Sequence, residues 1–246
     1  MKKEKSFNLI SLIKLYLGYL FQKSTIIVFS ISLILILLII FYVSNPFMKV
    51  EDYLLGYNEV HLNFFTQSYF VVQLFNSIII ATIAIILAIN SISFDTLFVS
   101  HTSRVKICLA KIIACIIVLF ILSIYEILVI NIIPLIRYPM YKINADIFLD
   151  IFYLFLSSLT ETVISFLLST AIPIIFVPMI FMFVAIVIKL LSNNFTSFRE
   201  IIVKIIPIVD VTYKGVKCDA AMLAPIWILL LGMLYFSVYA IRDLKQ

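Results

Sequence analysis

The sequence predicts an all-α, polytopic membrane protein with six transmembrane helices, and three observations predict it. Hydrophobic residues make up 64% of the 246 and charged residues 13%, where soluble domains run at about 45–50% and about 25%. Mean hydropathy is +1.21. The apolar residues gather into six runs, each close to the ~20 residues a helix needs to cross hydrocarbon. A single transmembrane domain covers residues 1–246: four glycines and seven prolines leave no flexible linker, and no repeat or low-complexity tract is visible. Cys108, Cys115 and Cys218 are odd in number and scattered. They suggest neither a disulfide framework nor a metal cluster.

In chain order, the basic start Lys2, Lys3, Lys5 leads into residues 6–23, where Asn8, Ser11, Lys14, Gly18 and Gln22 recur at helical spacing opposite Phe7, Ile10, Ile13, Leu17 and Leu20. That pattern predicts a helix lying in the interfacial plane. A cleavable signal peptide is disfavoured, because the apolar run after Lys23 lacks a small-residue cleavage site. The first span covers 25–43, and a loop over 44–66 carries Lys49 against Glu51, Asp52 and Glu59. The second span, 67–89, sets Gln73, Asn76, Ser77, Ala81, Ala84 and Ala88 near one face. Small and amide side chains at that spacing favour close helix packing in lipid, and Gln73 and Asn76 are also candidates to line a pathway.

Residues 90–111 form a polar island between two long apolar runs, with Leu97 and Phe98 flanked by Asp95, Thr96, Ser100 and His101, then Arg104, Lys106 and Lys111. This mixture predicts a short amphipathic helix at the membrane surface, open to a push from outside the chain. The third span, 107–136, carries Glu126, and Pro134 with Arg137 marks its exit. The fourth, 148–168, carries Glu161 in a stripe of Ser157, Ser158, Thr162, Ser165 and Ser169. A turn at 169–173 leads to the fifth span, ending near 191, where Pro178 is expected to kink the helix. Residues 192–221 are polar by this chain's standard yet rich in Phe and Ile, which suits a re-entrant segment with Arg199, Lys204, Lys214 and Lys217 at the interface. The sixth span is 222–241.

Basic residues near span ends set the orientation. With the N-terminus inside, ten of the eighteen fall on the cytoplasmic side, five of them (Lys2, Lys3, Lys5, Lys14 and Lys23) before the first span. Both termini and the polar island are therefore placed in the cytoplasm, at the plasma membrane. The net charge of +5 then reads as an orientation signal that favours anionic lipid, with no call for nucleic acid.

An ionisable group inside a span costs about 2.5–3.5 kcal/mol on insertion scales, so Glu126 and Glu161 are expected to face protein or a water-filled cavity. Each has two readings. Glu126 bonds Ser123 or Tyr125 and Glu161 bonds its serine stripe, or both line a pathway for a cationic or amphipathic substrate. His61 and His101 lie outside the spans, are not spaced as metal ligands and read as surface histidines. No catalytic or metal site is expected.

Six spans, an interfacial N-terminal helix, a surface helix between the second and third spans, a re-entrant segment before the last span and a terminal Arg242-Asp243-Leu244 together resemble the membrane subunit of ABC exporters. That class moves peptides, drugs and polysaccharides, and the style is closest to small permeases of peptide-toxin export and bacteriocin immunity. The local match is Thr96-Leu97-Phe98 followed by Ser103-Arg104 and Lys111, similar to the family's Thr-Leu, Ser-Arg and Lys pattern at the start of the third span. Ser91, Ser93, Asp95-Thr96 and Thr102 stand where the family often has Glu, a Gly-Thr pair and Pro.

The resemblance implies a surface helix that docks in a groove of an ATPase. Leu97 and Phe98 would supply the apolar knob, and Asp95, Thr96, Arg104 and Lys111 the polar surround. It also implies a second permease copy, identical or related, and an amphipathic peptide cargo. The chain has no Gly-x-x-x-x-Gly-Lys phosphate loop, so ATP and Mg would be bound by the partner ATPase, with no cofactor in this chain. Two other classes stay open: an intramembrane hydrolase, which would need clustered His, Asp, Glu or Cys within the spans, and a non-transporting immunity or assembly protein, which would have no ATPase partner.

Overall fold

The computed structural model describes residues 8–43, 57–92, 95, 102–137, 147–195, 197, 201–202 and 219–241. Among them every regular element is a helix: α1 Leu9–Leu20, α2 Lys23–Val43, α3 Tyr57–Ala84, a π-helical turn Ile85–Asn90 that continues α3, α4 Arg104–Arg137, α5 Ile147–Ala171, α6 Phe176–Asn194 and α7 Asp219–Ile241. Five stretches are long and apolar enough to cross a membrane, namely Lys23–Tyr42, Gln67–Asn90, Arg104–Ile136, Ile147–Ala171 and Leu223–Ile241. The chain is a multi-pass helical membrane protein in these terms. The apolar part of α6, Phe176–Ser192, is shorter.

The helix α5 is the hub, packed against α3, α4, α6 and α7. Its composition explains the position. Ser157, Ser158, Thr160, Thr162, Ser165 and Ser169 are buried, while Phe148, Leu149 and Phe152 are exposed. In lipid, outward phenylalanine and leucine carry no penalty. Inward small hydroxyl residues let neighbouring backbones approach, and several return their hydroxyl to the helix's own carbonyls, as Thr160 does to Leu156 at 2.9 Å and Thr162 to Ser158 at 2.7 Å. α2, on α3 and α4, and α7, mainly on α5, lie at the periphery with large apolar side chains outward.

Two apolar layers make the core. One joins Leu12, Tyr16 and Leu20 of α1 to Ile79, Ile80 and Ile83 of α3, Leu119 and Leu122 of α4, Val163 and Phe166 of α5, and Tyr235 and Tyr239 of α7. The other joins Ile36 and Ile40 of α2 to Phe64, Phe65, Tyr69 and Val72 of α3, Ile127 and Ile130 of α4, and Leu154 of α5. Residues 73–77 of α3 and 123–126 of α4 lie between these layers, and beside them α5 brings the buried polar groups of 157–162, which flank Leu159 of the first layer.

The boundaries depart from expectation at the start of α3, the end of α5 and the start of α6. α3 begins at Tyr57, ten residues before the expected 67, so helix occupies part of the expected 44–66 loop. With its π turn it runs 57–90, about 51 Å at 1.5 Å per residue, longer than the ~30 Å hydrocarbon layer. α4 ends at Arg137, one residue past the expected 136, with Pro134 inside its last turn. α5 continues to Ala171 before a turn at Ile172–Ile175 held by the bond from Ile174 N–H to Ile172 C=O at 2.8 Å. Because α6 starts at Phe176, Pro178 lies in the first turn, where its missing N–H belongs to the unpaired set of any helix start, and the expected mid-span kink has no cause.

A helix, α1 Leu9–Leu20, forms within the expected 6–23. Asn8, Ser11, Lys14, Gly18 and Gln22 are exposed while Leu12, Tyr16 and Leu20, four apart, are buried against α4 and the π turn. Residues 93–94 and 96–101 of the polar island, where the surface helix is expected, and most of the re-entrant segment over 192–221 fall outside the described residues, as do His101 and the side chain of His61.

Candidate functional site

Two clusters of buried ionic side chains stand out, one at each level of the bundle. The first surrounds Asp95, just past the π turn. Tyr16 of α1 donates its hydroxyl to Asp95 Oδ1 at 2.7 Å, Lys111 of α4 donates its ammonium to Oδ2 at 2.5 Å, and Tyr239 of α7 donates to the same oxygen at 3.0 Å. Asp95 and Lys111 are each 1% exposed. The Lys111 ammonium also lies 5.5 Å from the centroid of the Tyr16 ring and 5.3 Å from that of Tyr239, so the two tyrosines serve the pair twice, by hydroxyl and by π face. Burial, followed by the neighbouring Asp95 carboxylate, raises the Tyr16 phenol above its ordinary value, which keeps the hydroxyl a donor. Nearby, Arg104 at the start of α4 donates Nη1 to Ala240 C=O at 2.6 Å, satisfying a carbonyl that the end of α7 leaves open.

The π turn sets this geometry up. A π segment shifts the phase of the residues that follow, and Ser91 N–H reaches back to Ile86 C=O at 3.1 Å while its hydroxyl reaches Leu87 C=O at 2.6 Å. Asp95 is thereby delivered to the junction of four chain segments. The sequence reading placed Asp95, Arg104 and Lys111 in the polar surround of a docking helix. The structure turns Asp95 and Lys111 inward and spends an Arg104 donor on α7. Thr96, Leu97 and Phe98 lie outside the described residues.

The second cluster fills the level between the two apolar layers. Lys189 of α6 donates to Glu161 Oε2 at 2.6 Å, to Ser77 Oγ at 2.7 Å and to Gln73 C=O at 2.8 Å, which uses all three protons of the ammonium. Lys189 is 3% exposed and Glu161 1%. One turn along α3 and α4, Asn76 Nδ2 donates to Glu126 Oε2 at 3.0 Å and to Ser158 Oγ at 3.2 Å. Gln73, Asn76, Glu126 and Glu161, the four candidates for a pathway, thus do come together, on α3, α4 and α5.

Their partners differ from those expected. Glu126 takes Asn76 from another helix, while Tyr125 donates to Leu33 C=O at 3.3 Å and Ser123 Oγ is unpartnered. Glu161 takes an ammonium instead of its serine stripe.

Sequence reasoning missed Lys189, counting it among the basic residues of the far side, and it missed Tyr16 and Tyr239. A signal for Lys189 existed: it sits in the apolar run Val187-Ile188-Lys189-Leu190-Leu191, and a lysine there requires an acidic partner in another span. The tyrosines carried no such signal, because a tyrosine on an apolar helix face reads as core. Comparison with protein families, with curated proteins and with solved structures finds no match to this chain.

Proposed function

We propose that this chain is the membrane subunit of an ABC exporter. It would work at the plasma membrane as one of two permease copies bound to separate ATPase subunits, and move an amphipathic peptide. The observation that carries the reading is the Asp95 cluster. It lies directly before the Thr96-Leu97-Phe98 stretch whose pattern resembles the family's docking helix. It ties that point at once to α1, α4 and α7. A force applied to the stretch would reach the interfacial helix, the third span and the last span together, which is what rigid-body coupling of nucleotide-driven closure requires.

The remaining support is topological. If α6 crosses as well, its 17-residue apolar stretch Phe176–Ser192 meeting the lower limit of a span, the chain would have six spans and, by the basic residues of its start, both termini in the cytoplasm. The level holding Glu126 and Glu161 would then lie within the bundle, near the route of a cationic amphipathic cargo.

The test is co-purification from detergent with the products of neighbouring genes, followed by ATP hydrolysis, comparing the native chain with a Leu97→Asp, Phe98→Asp double variant. Recovery of an ATPase with the native chain and its loss from the folded double variant is the expected result. Absence of an ATPase, or one retained by the variant with unchanged turnover, sinks the proposal.

A further inference from the structure

The end of the bundle that carries Asp95 shows charge of one sign to its surroundings. Among the described residues there, Lys14 of α1, Lys23 at the start of α2 and Lys106 in the first turn of α4 are exposed, and Arg104 is half-buried. The one acid among the described residues of that end, Asp95, is 1% exposed and held by Lys111, so no carboxylate offsets the outward cations. The helix α1 itself has three faces. Leu12, Tyr16 and Leu20 are buried, Asn8, Ser11 and Gln22 form an exposed polar side, and Ile10 and Phe21 stand outward at 60% and 50% exposure. Lys14 borders that apolar strip, four residues after Ile10 and seven before Phe21. On α4 the neighbour of Lys106, Val105, is likewise turned outward at 56%.

We propose that α1 and the first turn of α4 form a seat for anionic phospholipid, with Lys14 and Lys106 on headgroup phosphates and Ile10, Phe21 and Val105 at the acyl boundary. Position favours lipid over an acidic protein as the partner. Only Phe21 and Gln22 separate α1 from α2, whose stretch Lys23–Tyr42 is long and apolar enough to span, so the end of α1 cannot leave the membrane surface. Composition favours lipid as well. An outward lysine beside outward isoleucine and phenylalanine lays its stem along hydrocarbon and lifts its ammonium to the phosphate layer, and the unopposed positive charge selects anionic headgroups over zwitterionic ones. The seat acts on the Asp95 cluster, because Tyr16 on the opposite side of α1 donates to Asp95 and lipid that holds the helix also holds that bond. This surface is independent of the exporter reading, as it needs no ATPase.

The experiment is thermal unfolding of the full chain in dodecylmaltoside micelles, titrated with phosphatidylglycerol or with phosphatidylcholine at fixed pH and ionic strength. A saturable rise in Tm with phosphatidylglycerol, at lipid levels where phosphatidylcholine has little effect, is the expected result. A basic side chain near an anionic surface is worth about fivefold in binding, so the Lys14→Gln, Lys106→Gln double variant should need about 25-fold more phosphatidylglycerol for half the rise. Both lysines are exposed and outside the core, so the variant keeps the fold. Arg137→Gln, at the opposite end of α4, should leave the titration unchanged. The proposal is overturned if neither lipid shifts Tm, if phosphatidylcholine serves as well as phosphatidylglycerol, if the double variant titrates like the native chain, or if Arg137→Gln weakens the response as much, which would make net charge and not this surface the cause.

Discussion

Lys189 shows how one side chain can hold a membrane interior together. Its ammonium closes a three-way junction between α3, α5 and α6, and the three bonds at 2.6–2.8 Å leave it no proton to spare. Removing it alone strands the Glu161 carboxylate, while the Ser77 hydroxyl keeps its own bond to Gln73 C=O. Breaking one partner of a buried pair typically costs about 3–5 kcal/mol, whereas removing both can be near neutral. We expect Lys189→Met to lower the unfolding free energy in detergent by about 3–5 kcal/mol, and Lys189→Met with Glu161→Gln to recover most of it. A double variant no better than the single one would mean that the pair is not coupled in this way. The pairing was open to sequence reasoning in principle, because an intramembrane lysine and an intramembrane glutamate need each other. It was missed because Lys189 lies near a span end, where a basic residue reads equally well as an interfacial anchor.

At the scale of the element, the π turn Ile85–Asn90 decides what α3 can reach. A regular helix through this stretch would carry Asp95 round to another face, since each residue advances the chain by about 100°. Deleting Ile89 should therefore remove the extra residue of the turn and swing Asp95 away from Tyr16, Lys111 and Tyr239. The expected outcome is a fall in Tm at least as large as that of Asp95→Ala, read by thermal unfolding of the two variants side by side. A deletion milder than Asp95→Ala would show that the turn does not set the register. Nothing in the residues Ile85-Ile86-Leu87-Ala88-Ile89-Asn90 announces a π turn, as each is compatible with an α-helix. By contrast, the amphipathic face of α1 was legible because polar side chains at helical spacing mark the exposed side directly. The end of α5 and the start of α6 are blurred in the sequence because no charge separates them, and Pro178 predicts a kink only for a helix that starts well before Phe176.

For the whole molecule, the open architectural question is whether α6 crosses the membrane. If it does, the termini share a side; if it does not, they lie on opposite sides. Single cysteines introduced as Ser11→Cys and Lys245→Cys, in a chain with Cys108, Cys115 and Cys218 replaced by serine, can be labelled with a membrane-impermeant maleimide in sealed vesicles of known orientation. We expect both to react from the cytoplasmic face. Labelling from opposite faces would leave five crossings and remove the topological support for an exporter.

The sequence alone determined the class of the protein, the position of its five long spans to within a few residues, apart from the early start of α3, and the exposed face of α1. Those features are local: hydropathy over about 20 residues and spacing over a few turns fix them whatever the helices pack against. Which buried charges meet was decided by the tertiary structure. Asp95 meets Lys111, Tyr16 and Tyr239, Lys189 meets Glu161, and Glu126 faces an amide, because those contacts depend on the depth and rotation of separate helices relative to one another, and neither is written in any single stretch of the chain.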